Sequence, residues 1–460
     1  MPVKFGTSGL RGLVTEMPEE VISHYTNAFL KACSIGETLC VARDLRSSSD
    51  RIAQNVISTA LASGLHVLEC GPLPTPALAL FAKVKHAGAI MVTGSHIPAD
   101  RNGLKFYTPH GEITKEDEIA ISAHLSGSAP DTQANLKALD SFGEAQRMFK
   151  DRYVEAFGAD ALTGQRIGLY AHSAVGRDIL HDILSELGAV VVDLGRSDDF
   201  IAVDTEAVHR STQTQIKTWV QEHHLDALVS TDGDSDRPLL ADESGALIPG
   251  DILGQITAQA LQAQTVVTPI SSNSGVLQKS FATVLRTKIG SPYVISAMLE
   301  HPDNVVGYEA NGGFILGFTA RGPAGPIPPL LTRDCVLPLV TCLYAARNES
   351  LGTLVSREPP VFTCADRLEN IPQDRSQAFI QRLVESQAQR AAFLDTLGRT
   401  EKTLDLTDGL RLALDDGIIL HLRPSGNAPE LRVYVEAQDI ATAESLLSSV
   451  QALLRREITT

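Results

Sequence analysis

Cysteine is scarce in this chain of 460 residues: Cys33, Cys40, Cys70, Cys335, Cys342 and Cys364 are the six, and none forms a CxxC pair. That argues against a zinc ribbon or a disulfide scaffold. Long apolar runs are lacking too. Nothing approaches the ~20 residues a membrane helix needs; the nearest stretch, Cys335 to Ala346, is short and interrupted by Pro338. Positive charge is in deficit, 39 Lys and Arg against 55 Asp and Glu, for a net −16. Such a field disfavours non-specific nucleic-acid binding and repels anionic metabolites, so any phosphate site must be built from local cations. The opening MPVKFGTSGLRG is polar and glycine-rich with no apolar secretion core, and the expected compartment is the cytoplasm. Glycine (35) and proline (23) are ordinary in number, which excludes collagen-like and low-complexity classes. The expectation is a soluble multi-domain protein with neither a membrane nor a nucleic-acid partner.

At roughly 150 residues per domain the length suggests about three domains. Three stretches read as strand, polar loop, then helix. The first has Leu39-Cys40-Val41, the capping candidates Ser47-Ser48-Ser49, and a helix with Ile52, Val56, Ile57, Ala60 and Leu61 on one face that stops near Gly64. The second has Ile167 to Tyr170, a helix carrying Ile179, Leu180, Ile183, Leu184 and Leu187, a stop at Gly188, and the strand Val190-Val191-Val192. The third starts at Val266-Val267, crosses Ser271 to Gly275, and is expected to enter a helix ending near Arg286. Each is a candidate βαβ unit. The last ninety or so residues differ. Thr403 to Val435 alternates apolar and polar residues around Asp408-Gly409 and Asp416-Gly417, which favour tight turns, and a helix with Leu446, Leu447, Val450, Leu453 and Leu454 follows. That is an α+β module. Polar stretches near 126–135 and 357–360 read as surface loops or linkers.

The sharpest chemical signal is Asp232-Gly233-Asp234-Ser235-Asp236-Arg237, following the apolar run Ala227-Leu228-Val229. Three carboxylates two residues apart, in a loop leaving a strand, can converge on one hard cation, and magnesium prefers such oxygen ligands. An EF-hand is disfavoured, because its position six is Arg237 rather than glycine; an acidic solvated turn is the plainer alternative. Next, Val92-Thr93-Gly94-Ser95-His96-Ile97-Pro98 ends a buried strand in a small-residue turn that presents a serine and a histidine side by side. Ser95 can be a covalent nucleophile with a neighbouring group taking its proton, or a turn serine before a proline. Lys105, in Asn102-Gly103-Leu104-Lys105-Phe106, is a phosphate partner, an acid/base, or a solvated charge. Arg423-Pro424-Ser425-Gly426-Asn427-Ala428-Pro429-Glu430-Leu431-Arg432 places two arginines around a turn whose N–H groups and hydroxyls can cradle an anion, or it is an ordinary hairpin loop. Arg11, in Gly6 to Gly12, makes a similar offer. Glu309 and Asn311, in the loop Gly307 to Gly313, can hydrogen-bond neutral hydroxyls.

Taken together and in this order, FGTSGLRG, VTGSHIPADRNGLKFY, DGDSDR, GYEANGG and RPSGNAPELR resemble the α-D-phosphohexomutase family, as does ARDLRSSS around Arg43 to Ser49. The resemblance runs from residue 5 to about 436. It implies three similar mixed α/β domains and a smaller α+β C-terminal domain around a central cleft, with expected bounds 1–150, 151–250, 251–365 and 366–460. It implies Ser95 as the phosphoserine, with magnesium held by its phosphate and by Asp232, Asp234 and Asp236. Arg11, Lys105 and His96 would stand beside the phosphoserine for proton transfer or charge stabilisation. Arg237 would lie near metal and substrate, Glu309 and Asn311 would read the sugar, and Arg423, Ser425, Gly426, Asn427 and Arg432 would hold the non-reacting phosphate. The implied reaction moves a phosphoryl group between C1 and C6 of a hexose phosphate through a hexose 1,6-bisphosphate, in a monomer or homodimer. The chain departs from the family's usual pattern at Gly94, Ile97, Ser235 and Asn427, and at Gly313, where many members carry histidine. The EANGG form, with GSHIP and NGLKFY, is most like the bacterial phosphomannomutase branch, which makes mannose 1-phosphate and mannose 6-phosphate the expected pair. A glucose-specific or dual-specificity mutase, and a magnesium-dependent sugar phosphatase, are the competing readings.

Overall fold

The computed structural model describes residues 3–6, 9–125, 137–424 and 429–459. Three of its sheets repeat one plan. In the first, Thr38–Arg43 runs parallel to both His66–Pro72 and Gly88–Val92, and Gly88–Val92 turns back antiparallel into Arg101–Thr108. In the second, Arg166–Tyr170 lies parallel between Val190–Leu194 and Ala227–Thr231, and Ala227–Thr231 turns back into Pro238–Ala241. In the third, Thr265–Pro269 lies parallel between Thr283–Thr287 and Val305–Tyr308, which turns back into Phe314–Leu316. Among these four strands of each sheet the spatial order is second, first, third, fourth, and only the fourth is antiparallel to its neighbour. The connectors between third and fourth strands are then equivalent positions: 93–100, 232–237 and 309–313. These loops carry Ser95, the three aspartates and Glu309.

Local sequence explains the elements. Ile52, Val56 and Ala60 are buried along one face of the helix Ser49–Ala62, at the spacing a 3.6-residue period requires. The helix stops before Gly64, whose φ of +82° suits the left-handed conformation glycine adopts freely. The strands Gly88–Val92, Ala227–Thr231 and Thr265–Pro269 are buried throughout, as parallel strands covered on both faces must be.

Two expectations need correction. The segment after Ser271–Gly275 holds no helix ending near Arg286: a 3-10 turn, Ser274–Gln278, leads to the strand Thr283–Thr287, and Arg286 sits in that strand. Asn273 caps the start of that turn, its Oδ1 accepting from Gly275 N at 2.7 Å while its Nδ2 donates to Val361 O at 2.7 Å. The turn ends at Lys279 in extended backbone, and the β-branched Thr283, Val284 and Thr287 pair parallel with Thr265–Pro269. The serines at 47–49 do not cap their helix with a side-chain bond. Ser49 Oγ donates to Asp44 Oδ1 at 2.5 Å and Ser48 Oγ accepts from Asn102 Nδ2 at 2.8 Å, so both serve the loop beneath Ser95.

The helix Phe142–Phe157 packs on both the first unit's helix Thr75–Val84 and the second unit's helix Arg177–Glu186. One apolar cluster runs from Cys40 through Leu169 and Val266 to Leu351, so the three α/β units share a continuous core. The C-terminal unit is a five-stranded antiparallel sheet in the order Phe362–Glu369, Glu430–Ala437, Ile419–Pro424, Leu410–Leu414, Glu401–Asp405. It has its own core, in which Phe379, Leu394 and Val450 from its helices meet Leu412, Leu420 and Val433 of the sheet. The expected turns at Asp408-Gly409 and Asp416-Gly417 connect its strands, with φ of +81° and +83° at the glycines. Among the described residues no helix is long and apolar enough to cross a membrane. All six thiols are free.

Candidate active site

Ser95 is buried at φ +54°, a left-handed conformation that costs a non-glycine residue about 1–2 kcal/mol. Its surroundings hold it there. Ser95 N donates to Thr93 Oγ1 at 2.7 Å, and Ser95 O accepts from Arg46 Nη2 at 2.8 Å. The Arg46 guanidinium also donates to Ile97 O and Pro98 O, each at 2.6 Å, to Arg101 O at 3.1 Å and to Asp44 Oδ2 at 3.1 Å. Asp44 accepts further from Thr93 Oγ1 at 2.8 Å and from Gly94 N at 3.3 Å. Arg46 thus fills the concave side of the loop as a five-bond template. A Cβ at Gly94 would lie 2.6 Å from the Arg46 Cζ, so the small residue there makes room for the guanidinium.

The loop is docked onto the aspartates. Ser95 Oγ donates to Asp232 Oδ2 at 2.6 Å and lies 3.3 Å from His96 Nδ1. A Cβ at Gly233 would fall 2.7 Å from Ser95 O, so glycine is what lets the two backbones approach. Asp232, Asp234 and Asp236 are fully buried, with one carboxylate oxygen from each lying within 4.8 Å of the others. Lys105 Nζ, from the neighbouring sheet, reaches Asp234 Oδ2 and Asp236 Oδ2 at 2.5 Å each, and Thr75 Oγ1 donates to Asp234 Oδ2 at 2.6 Å. The Oδ1 atoms of Asp234 and Asp236 are buried with no hydrogen-bond partner. Two orphaned carboxylate oxygens beside a third carboxylate are the donor set a hard divalent cation takes.

The electrostatics follow from burial and this crowding. Burial and the adjacent Asp234 and Asp236 push the Asp232 carboxyl well up, against the pull of Arg237 and Lys105. Burial also acts to raise Asp234, but Lys105 and Thr75 overcome it and hold that carboxyl below its usual value. Burial and Arg237, with Arg11 and Arg432, push His96 down to about 3 against the pull of Asp204. Arg11 donates to Thr93 O at 2.9 Å, and burial together with Arg46 and Arg333 lowers its guanidinium to about 10.

Glu309 and Asn311 stand in the third unit's loop between Val305–Tyr308 and Phe314–Leu316. Gly313 N donates to Asn311 Oδ1 at 3.0 Å, which closes the loop on itself, and Asn311 O accepts from Thr205 Oγ1 at 2.7 Å. Glu309 Oε2 accepts from Arg333 Nη1 at 3.2 Å, and the same guanidinium reaches Asp236. Arg237 Nε lies 3.7 Å from Asp236 Oδ1. Arg423 and Arg432 are cross-strand neighbours in the C-terminal sheet. Arg423 Nε donates to Asp408 Oδ1 at 3.1 Å, while Arg432 faces Asp204, Glu206 and Tyr434 across a small cavity. Ser425, Gly426 and Asn427 lie outside the described residues.

The structure therefore brings Ser95, His96, Lys105, Arg11, Arg237 and the three aspartates together, with Glu309 joined to Asp236 through Arg333, while Asn311 bonds Gly313 and Thr205. Sequence reasoning assigned no part to Asp44, Arg46, Thr75 or Arg333. Asp44 and Arg46 stand within ARDLRSSS, a segment visible in the sequence without a role. Thr75 and Arg333 carry no local signal. A cavity of about 850 Å³ lies elsewhere, between Phe157, Ala260, Arg321, Thr341 and Tyr344, and contains none of these groups.

Four family models match the chain, described as phosphoglucomutase/phosphomannomutase alpha/beta/alpha domains I, II and III, at residues 2–130, 151–245 and 242–362, and the C-terminal domain, at 377–452. The chain is 46% identical to a phosphomannomutase of Sinorhizobium fredii (strain NBRC 101917 / NGR234) over 471 aligned positions, covering 99% of each protein. It is 42% identical to a phosphomannomutase of Salmonella muenchen, covering 99% of this chain and 97% of that protein. Among solved structures, a phosphoglucomutase/phosphomannomutase family protein from Burkholderia thailandensis superposes with a TM-score of 0.76 at 18% identity, over 98% of this chain and 97% of that one.

Proposed function

The chain belongs to the phosphoglucomutase/phosphomannomutase family and performs intramolecular phosphoryl transfer on hexose phosphates, and from that premise we propose that it interconverts mannose 1-phosphate and mannose 6-phosphate through a phosphoserine at Ser95. One observation carries the reading: a buried serine hydroxyl 2.6 Å from a carboxylate of a three-aspartate loop that retains two unpaired oxygens. The mannose assignment is supported by the names of the two relatives above. Asp232, Asp234 and Asp236, with the phosphate on Ser95, would hold a magnesium ion, which when bound neutralises charge on the transferring group.

In the forward half-reaction the bond from Ser95 Oγ to phosphorus breaks as the free sugar hydroxyl forms its own bond to phosphorus. The proton of that hydroxyl is taken by Lys105 or Arg11, whichever is uncharged at that step. The product is a hexose 1,6-bisphosphate, which also serves as activator. It turns end for end without leaving, and Ser95 Oγ takes the other phosphoryl group while the sugar oxygen it leaves is protonated. Whichever of Lys105 and Arg11 stays protonated neutralises charge at the transfer site, since phosphoryl transfer depends on positioning and charge more than on covalent machinery. His96, with Nδ1 3.3 Å from Ser95 Oγ, steadies that oxygen as a hydrogen-bond partner. Glu309 and Asn311 hold sugar hydroxyls, and Arg237, Arg423, Arg432, Ser425, Gly426 and Asn427 hold phosphate groups. These local cations answer the acidic net charge. Closure of the C-terminal unit over the cleft excludes water, which would otherwise hydrolyse the phosphoserine. The proposed setting is the cytoplasm.

The test is a side-by-side assay of mannose 1-phosphate and glucose 1-phosphate by kcat/KM with magnesium and a trace of glucose 1,6-bisphosphate. A clear preference for mannose is expected. Comparable rates would make the enzyme dual-specific, and turnover of neither would remove the substrate assignment. Ser95→Ala should reduce turnover to background with the fold intact; substantial residual activity would remove the phosphoserine.

A further inference from the structure

Arg333 lies near the end of the strand Leu330–Asp334 and is only 3% exposed. Its fork spans two loops from different units. Nε and Nη2 reach Asp236 Oδ2 at 3.1 and 2.9 Å, and Nη1 reaches Glu309 Oε2 at 3.2 Å. Asp236 belongs to the aspartate triad, and Glu309 to the loop proposed to read the sugar. With Lys105 also on Asp236 Oδ2 at 2.5 Å, that oxygen is saturated by cations, while Oδ1 of the same carboxylate is the orphaned one. A planar guanidinium with two N–H groups on one oxygen restricts the carboxylate plane in a way a lysine ammonium does not.

Gly313 makes this arrangement possible. A Cβ there would lie 2.4 Å from Arg333 Cδ and 2.6 Å from its Cγ. The stem of Arg333 therefore occupies the volume that any side chain at 313 would need. The absent side chain on the sugar loop and the arginine on the strand are two halves of one packing solution. The unusual Gly313 noted in the sequence thus has a physical counterpart twenty residues on.

We propose that Arg333 is a positioning residue that couples the sugar loop to the metal loop: it orients Asp236 for the cation and Glu309 for the hexose with one rigid group, so occupancy of either carboxylate bears on the other. The hexose half rests on the function proposed above; the metal half does not. Because such coupling is reciprocal, sugar phosphate should tighten metal binding and metal should tighten sugar binding.

The experiment follows Mn²⁺ binding by electron paramagnetic resonance, with and without saturating mannose 6-phosphate. It compares the wild type, Arg333→Lys and Gly313→Ala at one Ser95 phosphorylation state checked by intact mass. Arg333→Lys keeps the charge and loses the fork; Gly313→Ala keeps the arginine and displaces its stem. Without sugar, both should bind Mn²⁺ about 10-fold or more weakly, the scale on which groups orienting metal ligands act. With sugar, the wild type should gain at least about fivefold in Mn²⁺ affinity, and both variants should lose that gain. A group that merely holds the units together would lower thermal stability and leave the coupling intact. Coupling unchanged in both Arg333→Lys and Gly313→Ala would overturn the proposal. Wild-type enzyme that turns over neither hexose would sink the function proposed above, and the sugar-free metal titration would still decide whether Arg333 orients Asp236.

Discussion

Replacing Arg46 by lysine keeps a positive charge beside Asp44 and removes the fork that shapes the Ser95 loop. The guanidinium donates to five acceptors: Asp44 Oδ2 and the carbonyls of Ser95, Ile97, Pro98 and Arg101. An ammonium has three donors radiating from one point, so at least two of the five acceptors go unpaired. Each buried orphan costs about 1–3 kcal/mol. Pro98 and Arg101 are exposed residues where water can replace the lost donor, so a total of about 2–3 kcal/mol is expected. The second consequence is catalytic. Ser95 holds a left-handed φ, and without Arg46 on its carbonyl the loop can relax. A displacement of about 1 Å in a reacting group can cost on the order of 100-fold in rate. The assay combines thermal unfolding, hydrogen exchange across 93–98, and steady-state kinetics. Arg46→Lys should unfold earlier, exchange faster in that loop, and lose kcat by 10-fold or more, on that same reasoning, with KM little changed. Wild-type kcat with a wild-type melting temperature would refute the template role.

Three further outcomes follow from the same geometry. Lys105→Ala removes a partner from two buried carboxylates, each of which keeps one other donor, Thr75 for Asp234 and Arg333 for Asp236. Stability should fall by about 3–5 kcal/mol in chelator and recover in part with magnesium, while turnover falls far more than binding; unchanged turnover takes Lys105 off the catalytic list. Ser235→Gly relieves a φ of +54° but deletes a hydroxyl that accepts from Gly176 N at 2.9 Å and pairs with Thr231 Oγ1 at 2.8 Å. Left-handed strain of about 1–2 kcal/mol is relieved and one buried donor is orphaned, at about 1–3 kcal/mol plus the second bond. Calorimetry should show net destabilisation, and a more stable variant would mean that strain dominates. His421 is buried, stacks on Tyr434 and bonds Asp408 O at 2.6 Å; burial and Arg411 push its ring down to about 4 from 6.5. The unfolded chain takes up that proton first, so this contribution is complete above pH 6.5 and is lost as pH falls toward 4, at about 1.4 kcal/mol per unit. His421→Gln should flatten the melting temperature across that window by one proton's worth, and an unchanged slope would show that the ring is not the group titrating.

The strand starts near residues 39, 166 and 265, and the helices after the first two, were legible because apolar runs, turn residues and 3.6-residue faces are local properties of the chain. The aspartate loop was legible for the same reason: three carboxylates two residues apart are adjacent in sequence before they are adjacent in space. What the sequence by itself determined, then, was the kinds of element, their order, and the loops carrying charge and nucleophile. Only the tertiary structure decided that the connectors 93–100, 232–237 and 309–313 occupy one topological position in three sheets, so that Ser95 Oγ meets Asp232 across 137 residues. It alone gave parts to Arg46, Thr75 and Arg333, whose importance lies in buried carbonyls and carboxylates contributed by distant segments. The segment after Asn273 shows the same limit. Its apolar spacing permits a helix, but the strand Thr265–Pro269 offers a parallel partner and takes Thr283–Thr287 into the sheet. Periodicity records what a segment can bury; the partners available when the chain closes on itself choose among those options.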